Sequence, residues 1–290
     1  MASLERRNPA NASGDLFVDD TCIACDTCRR LAPATFGGGE DDHSFVARQA
    51  GTPAERRRAL MALASCPVGA IGSQTREGMA EAIRALPDEI APGVFDCGYA
   101  AESSAGAASW LVQRKDGNIL VDSPRFMGPL LARLRALGGV RLMFLTHRDD
   151  VADHARWAEA LGCERVLHAG DVTAGTDGIE RRIEGDDPVP LAEGVLAIPV
   201  PGHTAGSAAL LVDEKLLFTG DHLWGDAAGR LGASRSVCWH DWGAQTASME
   251  RLAAFRFEWV LPGHGRPWRA PSTEDARREV LALAQAMRAG

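Results

Sequence analysis

Apolar and polar positions follow two textures along the chain, and the change between them falls near residue 93. Residues 1–13 are polar and are expected to be disordered. Residues 15–20 read as a short strand, 37–42 as a glycine-rich acidic turn and 44–48 as a returning strand. Residues 53–64 are rich in alanine, leucine and arginine, which predicts a helix that ends at Cys66. Residues 76–92, with Pro87 and Pro92, read as a helical or irregular linker.

Beyond the linker, apolar runs at 110–113 and 118–122 flank Lys115-Asp116-Gly117, a hairpin signal. A helix is expected at 129–137, a fully apolar strand at 142–145, and a helix at 150–161 with Asp150 as its N-cap. Short strands follow at 166–168, 195–200, 207–212 and 216–218. A helix at 244–255, a strand at 259–261 and a final helix at 273–288 complete the pattern. Strands interleaved with helices predict a layered sheet-and-helix domain.

Four cysteines add chemistry to this outline: Cys22-x2-Cys25-x2-Cys28, closed by Cys66-Pro67. Thiolates at this spacing wrap one corner of a cubane iron–sulfur cluster, and the distant Cys-Pro supplies the remaining ligand. The competing reading is a zinc knuckle or a set of buried thiols. Three cysteines between positions 22 and 28 are too close for all to be packing residues, and a Cys-Pro pair closing a helix is unlike a zinc ribbon.

The runs CIACDTCRRLAPATF and SCPVGAI resemble a bacterial-type ferredoxin, over about residues 14–75. Two-cluster ferredoxins carry a further cysteine before a proline, for their other cluster. Here Ala32 stands at that position, before Pro33, and there is no second CxxCxxC run. The resemblance therefore implies an α+β ferredoxin-like domain with a single [4Fe–4S] cluster held by Cys22, Cys25, Cys28 and Cys66. Cys97, Cys163 and Cys238 are scattered and read as core thiols. Cluster thiolates need a reducing compartment, so no disulfide framework and a cytoplasmic location are expected.

Composition narrows the partners. The chain has 290 residues, 46% hydrophobic and 24% charged, an ordinary globular balance and room for about two domains. The start lacks an apolar leader run, and no stretch is long and apolar enough to cross a bilayer. A net charge of −8 argues against a nucleic-acid surface. Arg56-Arg57-Arg58 reads as a solvated helix face, with docking of an acidic electron donor as the alternative. The expected partners are a small-molecule substrate and, through the cluster, a redox protein.

Histidine placement carries the second argument. His147 follows the apolar strand at 142–145, His203 follows 195–200 in PGHTAGS, His264 follows 259–261 in PGHG, and Asp221 ends a strand in FTGD. Polar residues at the ends of apolar strands converge on one sheet edge, where active sites are commonly assembled. Gly202, Gly263 and Gly265 are expected to form the tight turns that let the histidines reach inward. His222, His168 and His43 read as structural, and Asp241 as a helix cap beside His240.

At these residues the sequence resembles the metallo-β-lactamase superfamily, over about residues 90–270. The pattern there is His-x-His-x-Asp-His, then a later His, a bridging Asp and a final His. The resemblance implies an αββα sandwich at 93–290, with His147, Asp149, Asp153, His154, His203, Asp221 and His264 holding one or two divalent ions, Zn or Fe or else Mn. Asp153 and Asp221 would have catalytic roles. The first motif departs from the pattern: Asp149 stands where the second His belongs, and two extra residues precede Asp153-His154. The carboxylate resembles flavodiiron proteins and suits harder ions. Asp150 could take the role instead, or both acids could only cap a helix.

Three function classes follow. GHTAGS and FTGD resemble the glyoxalase II group, which implies hydrolysis of a thioester or ester. The fused cluster instead favours an iron-dependent oxidoreductase acting on a persulfide, O2 or NO. A non-catalytic electron carrier or redox sensor is the third. Hydrolase is the expected class, because nearly the whole ligand pattern of a water-activating site is present.

Overall fold

The computed structural model describes residues 2–289, and Met1 and Gly290 lie outside the described residues. Its chain divides into two compact units: residues 1–141 with 152–162, and residues 142–151 with 163–290.

The first unit opens with β1 (Leu16–Val18), α1 (Thr27–Leu31), β2 (Phe36–Gly38), β3 (Ser44–Val46), α2 (Pro53–Ser65) and β4 (Ile71–Ser73). β1 pairs antiparallel with β4, and β2 with β3. Leu16, Val18, Leu31, Phe36, Val46, Ala59, Ala62 and Ile71 close a small core in which Cys28 and Cys66 are also buried. Thr52 caps α2 by accepting the Glu55 N–H, and Pro53 at the first position presets the helical φ. Residues 2–13, expected to be disordered, pack instead against β1. The Asn11 side chain is the reason: its Nδ2 donates to Val18 O, and its Oδ1 accepts from Val18 N and Val46 N. A buried amide that satisfies three backbone groups orders a segment that lacks hydrophobic content.

The stretch read as a linker is also built. It contains α3 (Met79–Arg84) and β5 (Asp88–Ala91), and β5 pairs with β6 (Val94–Asp96), so the sheet begins before residue 93. β7 (Trp110–Val112) and β8 (Ile119–Val121) form the hairpin signalled by Lys115-Asp116-Gly117. α4 (Gly128–Ala136) and α5 (His154–Leu161) complete the unit. The cluster-type segment and these strands share buried polar contacts. Arg30 pairs with Asp96 at 2.9 Å, Thr27 Oγ1 donates to Gly106 O at 2.9 Å, and Arg125 donates to Ala64 O at 3.1 Å. Two members of the arginine run are engaged as well, Arg56 with Asp15 and Arg58 with Asp88.

In the second unit, β9 (Leu142–Phe144), β10 (Glu164–His168) and β11 (Arg181–Ile183) run parallel, and β9 and the centre of β10 are buried, as apolar runs in parallel strands demand. β12 (Val189–Ala192), β13 (Val195–Pro199), β14 (Ala208–Val212) and β15 (Leu216–Gly220) form an antiparallel meander. After the short pair β16 (Trp224–Gly225) and β17 (Leu231–Gly232), α6 (Trp242–Leu252) leads to β18 (Trp259–Pro262), which lies parallel to β15. β19 (Trp268–Arg269) and α7 (Thr273–Ala289) end the chain. α6 and α7 cover one face of this sheet through Leu211, Leu217, Met249, Leu252, Val260 and Val280. The exit of β9 is tied to the start of β14, where Ala208 N donates to Thr146 O at 2.8 Å. No helix among the described residues is long and apolar enough to cross a membrane.

Candidate metal centre and cluster-binding loop

In the first unit, Cys22, Cys25, Cys28 and Cys66 line one pocket. Val18, Ile23, Pro67, Val68, Ala70 and Ile71 supply its apolar wall. Left-handed backbone at Ala24 (φ 58°) and Asp26 (φ 63°) turns the loop so that three thiols share one side. Ser44 N donates to Cys22 Sγ at 3.4 Å and Ala70 N to Cys66 Sγ at 3.3 Å, contacts that favour sulfur carrying negative charge. Burial pushes the Cys28 thiol up to about 12 and raises Cys66 as well. Four thiols gathered in an apolar pocket fit a group whose irons replace the protons. Gly106 lets the β6–β7 loop rest on this site. It has φ 85°, and a Cβ there would approach Cys25 Sγ to 2.8 Å.

The second unit gathers the strand-end residues. Asp221, just past β15, has its Oδ2 3.8 Å from His147 Nε2, 3.7 Å from His203 Nε2 and 3.8 Å from His264 Nε2. One carboxylate oxygen thus faces three imidazoles. Asp149 Oδ2 adds a second oxygen, 3.5 Å from His203 Nε2 and 4.0 Å from His147 Nε2. Potential ligand atoms within 4.8 Å of one another form two groups, His147 with Asp149 and His203, and His147 with Asp150 and Asp221. Asp153, His154 and His264 belong to neither, although His264 still faces the Asp221 oxygen. Asp153 is exposed, precedes α5 with φ 51°, and accepts the Phe126 N–H at 2.8 Å. The helix expected from residue 150 therefore starts at His154, and its N-cap position is Asp153 rather than Asp150.

Imidazole orientation follows from hydrogen bonding. His203 Nδ1 lies 2.5 Å from Val237 O, which can only accept, so Nδ1 carries the proton and Nε2 keeps its lone pair free. His147 Nδ1 meets Thr146 Oγ1 at 3.0 Å. The Nε2 atoms of both residues are buried without a hydrogen-bond partner, as is Asp221 Oδ1. Burial pushes the His147 pKa down. Burial also acts to lower His203, but Asp149 and Asp221 outweigh it and hold that pKa above its usual value. The imidazole of His203, 3.5 Å away, holds Asp149 below the ordinary carboxylate range. Desolvated imidazole nitrogens aimed at carboxylate oxygens fit a divalent ion, which would satisfy both.

Residues that sequence reasoning passed over hold the ligand loops. Asp171, 1% exposed just after β10, accepts from Arg148 N at 2.9 Å, Thr204 Oγ1 at 2.5 Å and Gly206 N at 2.8 Å. It thereby ties the loop after His147 to the loop after His203. From α6, Gln245 donates to His222 O and Ser248 to Pro201 O. The run HAGD, an acid just beyond an apolar strand, was the signal available for Asp171. His222 is buried with neither ring nitrogen bonded, and burial pushes its pKa down to about 3, so it remains neutral. Asp241 caps α6 by accepting the Ala244 N–H at 2.6 Å. At the rim, Trp239 is 62% exposed with its ring 6.2 Å from that of His203.

Two outcomes follow. Cys66→Ala in the full chain is expected to lower anaerobically bound cluster iron from about four per chain and abolish the visible sulfur-to-iron absorbance, read by iron analysis and spectroscopy. Asp171→Asn places an N–H against the Gly206 N–H, so divalent-metal affinity measured by chelator competition is expected to fall roughly 10–100-fold, the range for loss of an outer partner.

Comparison with known proteins bears on both halves. Residues 18–73 match the family model described as the 4Fe-4S single cluster domain of Ferredoxin I. The hydroxyacylglutathione hydrolase of Rhodospirillum rubrum is 32% identical over 123 residues, 41% of this chain and 48% of that protein. Its namesake in Rhizobium etli is 34% identical over 138 residues, 46% of this chain and 51% of that protein. The chain thus spans about half the length of the curated relatives it matches. The metallo-β-lactamase FIM-1 from Pseudomonas aeruginosa, solved in a mono-zinc form, aligns with a TM-score of 0.50 at 18% identity, covering 68% of this chain and 93% of that one. The chain therefore joins a single-cluster 4Fe-4S ferredoxin domain at its N-terminus to a metallo-β-lactamase fold.

Proposed function

We propose that the chain is a metal-dependent hydrolase acting on a thioester or ester, carried in a cytoplasmic, reducing setting. The observation that supports this most directly is Asp221 Oδ2 facing His147, His203 and His264 at 3.7–3.8 Å. The hydroxyacylglutathione hydrolases it resembles point to the thioester class. His147, Asp149 and His203 would hold one ion with Asp221, and His264, which faces the same Asp221 oxygen, would serve a second. When bound, a divalent ion polarises a carbonyl and acidifies water to a pKa of about 7. The chain's own groups do the rest. Asp149, kept ionised by His203, contributes charge rather than a proton. Val237 O holds the His203 ring in one tautomer, and Trp239 offers an apolar wall for the acyl part of a substrate.

The test is release of thiol from a hydroxyacylglutathione and a set of acyl thioesters, and of alcohol from matched esters, by the metal-loaded chain. Release that disappears on chelation is expected. In His203→Ala, kcat/KM should fall by more than the roughly 10–100-fold typical of losing an outer partner. No release from any of them with metal fully loaded overturns the reading.

The ferredoxin-type segment favours a second reading, an oxidoreductase fed by the cluster. It requires the reduced cluster to be reoxidised by O2, NO or a persulfide faster than in buffer alone. Equal rates would remove it.

A further inference from the structure

The tandem acids Asp149 and Asp150 follow β9 directly, and their surroundings differ sharply. The Asp149 side chain is 46% exposed and turns toward His203, whereas Asp150 is 1% exposed and grouped with His147 and Asp221. His147 Nε2, in a side chain also 1% exposed, points into that group with no hydrogen-bond partner. Gly263 borders the same space. A Cβ built on it would lie 2.6 Å from Asp150 Oδ2 and 2.8 Å from Asp221 Oδ1, so any other residue would fill the gap between the two oxygens. The neighbouring His264 brings its Nε2 to 3.8 Å from Asp221 Oδ2.

We infer that Asp150, and not Asp153, is the carboxylate ligand of a second divalent cation, held with Asp221 and His264 in a pocket kept open by Gly263. This rests on reading the strand-end cluster as a metal centre, and it changes which residues build that centre. The two extra residues before Asp153 explain the exchange. They let the chain present Asp150 at the strand end, while Asp153 moves on to the N-cap position of α5, where its carboxylate is taken by the Phe126 N–H. His154 and His264 both lie outside the two ligand groups, but His264 faces the Asp221 oxygen, whereas His154 opens α5 beside Asp153. A donor set of two carboxylates and one imidazole is harder than an all-imidazole set and accepts Mn2+.

The test uses the full chain with its cluster loaded and Mn2+ as the probe, since elemental analysis counts manganese apart from cluster iron. Two Mn2+ per chain, with the electron paramagnetic resonance signal of a spin-coupled pair, are expected of the unaltered protein. Asp150→Asn should bind one ion, with the coupled signal gone. Gly263→Ala should lose the same ion although every donor remains. Asp153→Asn should retain both ions and the coupled signal. A single ion in the unaltered chain, both ions retained by Asp150→Asn, or loss of an ion in Asp153→Asn overturns the assignment. Ion counts do not depend on turnover. A failed count therefore leaves the proposed hydrolysis standing, and a chain with the expected counts but no thiol release leaves this assignment standing.

Discussion

A carboxylate oxygen set among three imidazole nitrogens, each 3.7–3.8 Å away, is the arrangement on which the second unit depends. At those distances the groups do not hydrogen-bond to one another, and the His147 and His203 nitrogens have no other partner. Each buried polar atom left in that condition costs about 1–3 kcal/mol. The chain holds several of them together, so the surroundings must over-determine the geometry. Asp171 does this from below by joining two ligand loops through three hydrogen bonds, and α6 does it from the side through Gln245 and Ser248. Donor atoms fixed in this way lose little freedom when an ion arrives, which is how preorganisation strengthens binding.

The cluster pocket follows the same logic with sulfur in place of nitrogen and oxygen. An apolar wall makes free thiolates unfavourable, and burial pushes the Cys28 thiol up to about 12. Iron reverses that balance because it binds the deprotonated sulfur and spreads its charge. The pocket is also continuous in packing with the strands that follow it. The buried Arg30–Asp96 pair, the Thr27 bond to Gly106 O and the approach of Gly106 to Cys25 bring β6, the β6–β7 loop and α1 into one compact unit. A ferredoxin segment joined by a loose tether would show none of these contacts.

Much of this architecture is legible in the order of residues. The four cysteines, the missing ligand at Ala32 and the polar residues at apolar strand ends rest on short-range spacing, and spacing survives in a linear sequence. The N-terminal segment is not legible in the same way. Its composition predicts disorder, whereas Asn11 orders it by reaching Val18 and Val46. Asp171 escapes notice for a related reason, since its three partners come from two other loops.

The amino-acid sequence alone determined which residue types reach the strand ends and that a single cubane cluster has its thiols, because periodicity and ligand spacing are local properties. Tertiary structure decided which of the adjacent acids faces which imidazole. Asp149 and Asp150 are equivalent as residue types, and Asp153 sits in a motif that points to it. The distinction arises only when β9, β15 and β18 place their ends side by side. There Gly263 leaves a gap beside Asp150 and Asp221, and the start of α5 claims Asp153 for a backbone N–H. Burial and register across distant strands set that choice, and no spacing within one segment encodes it.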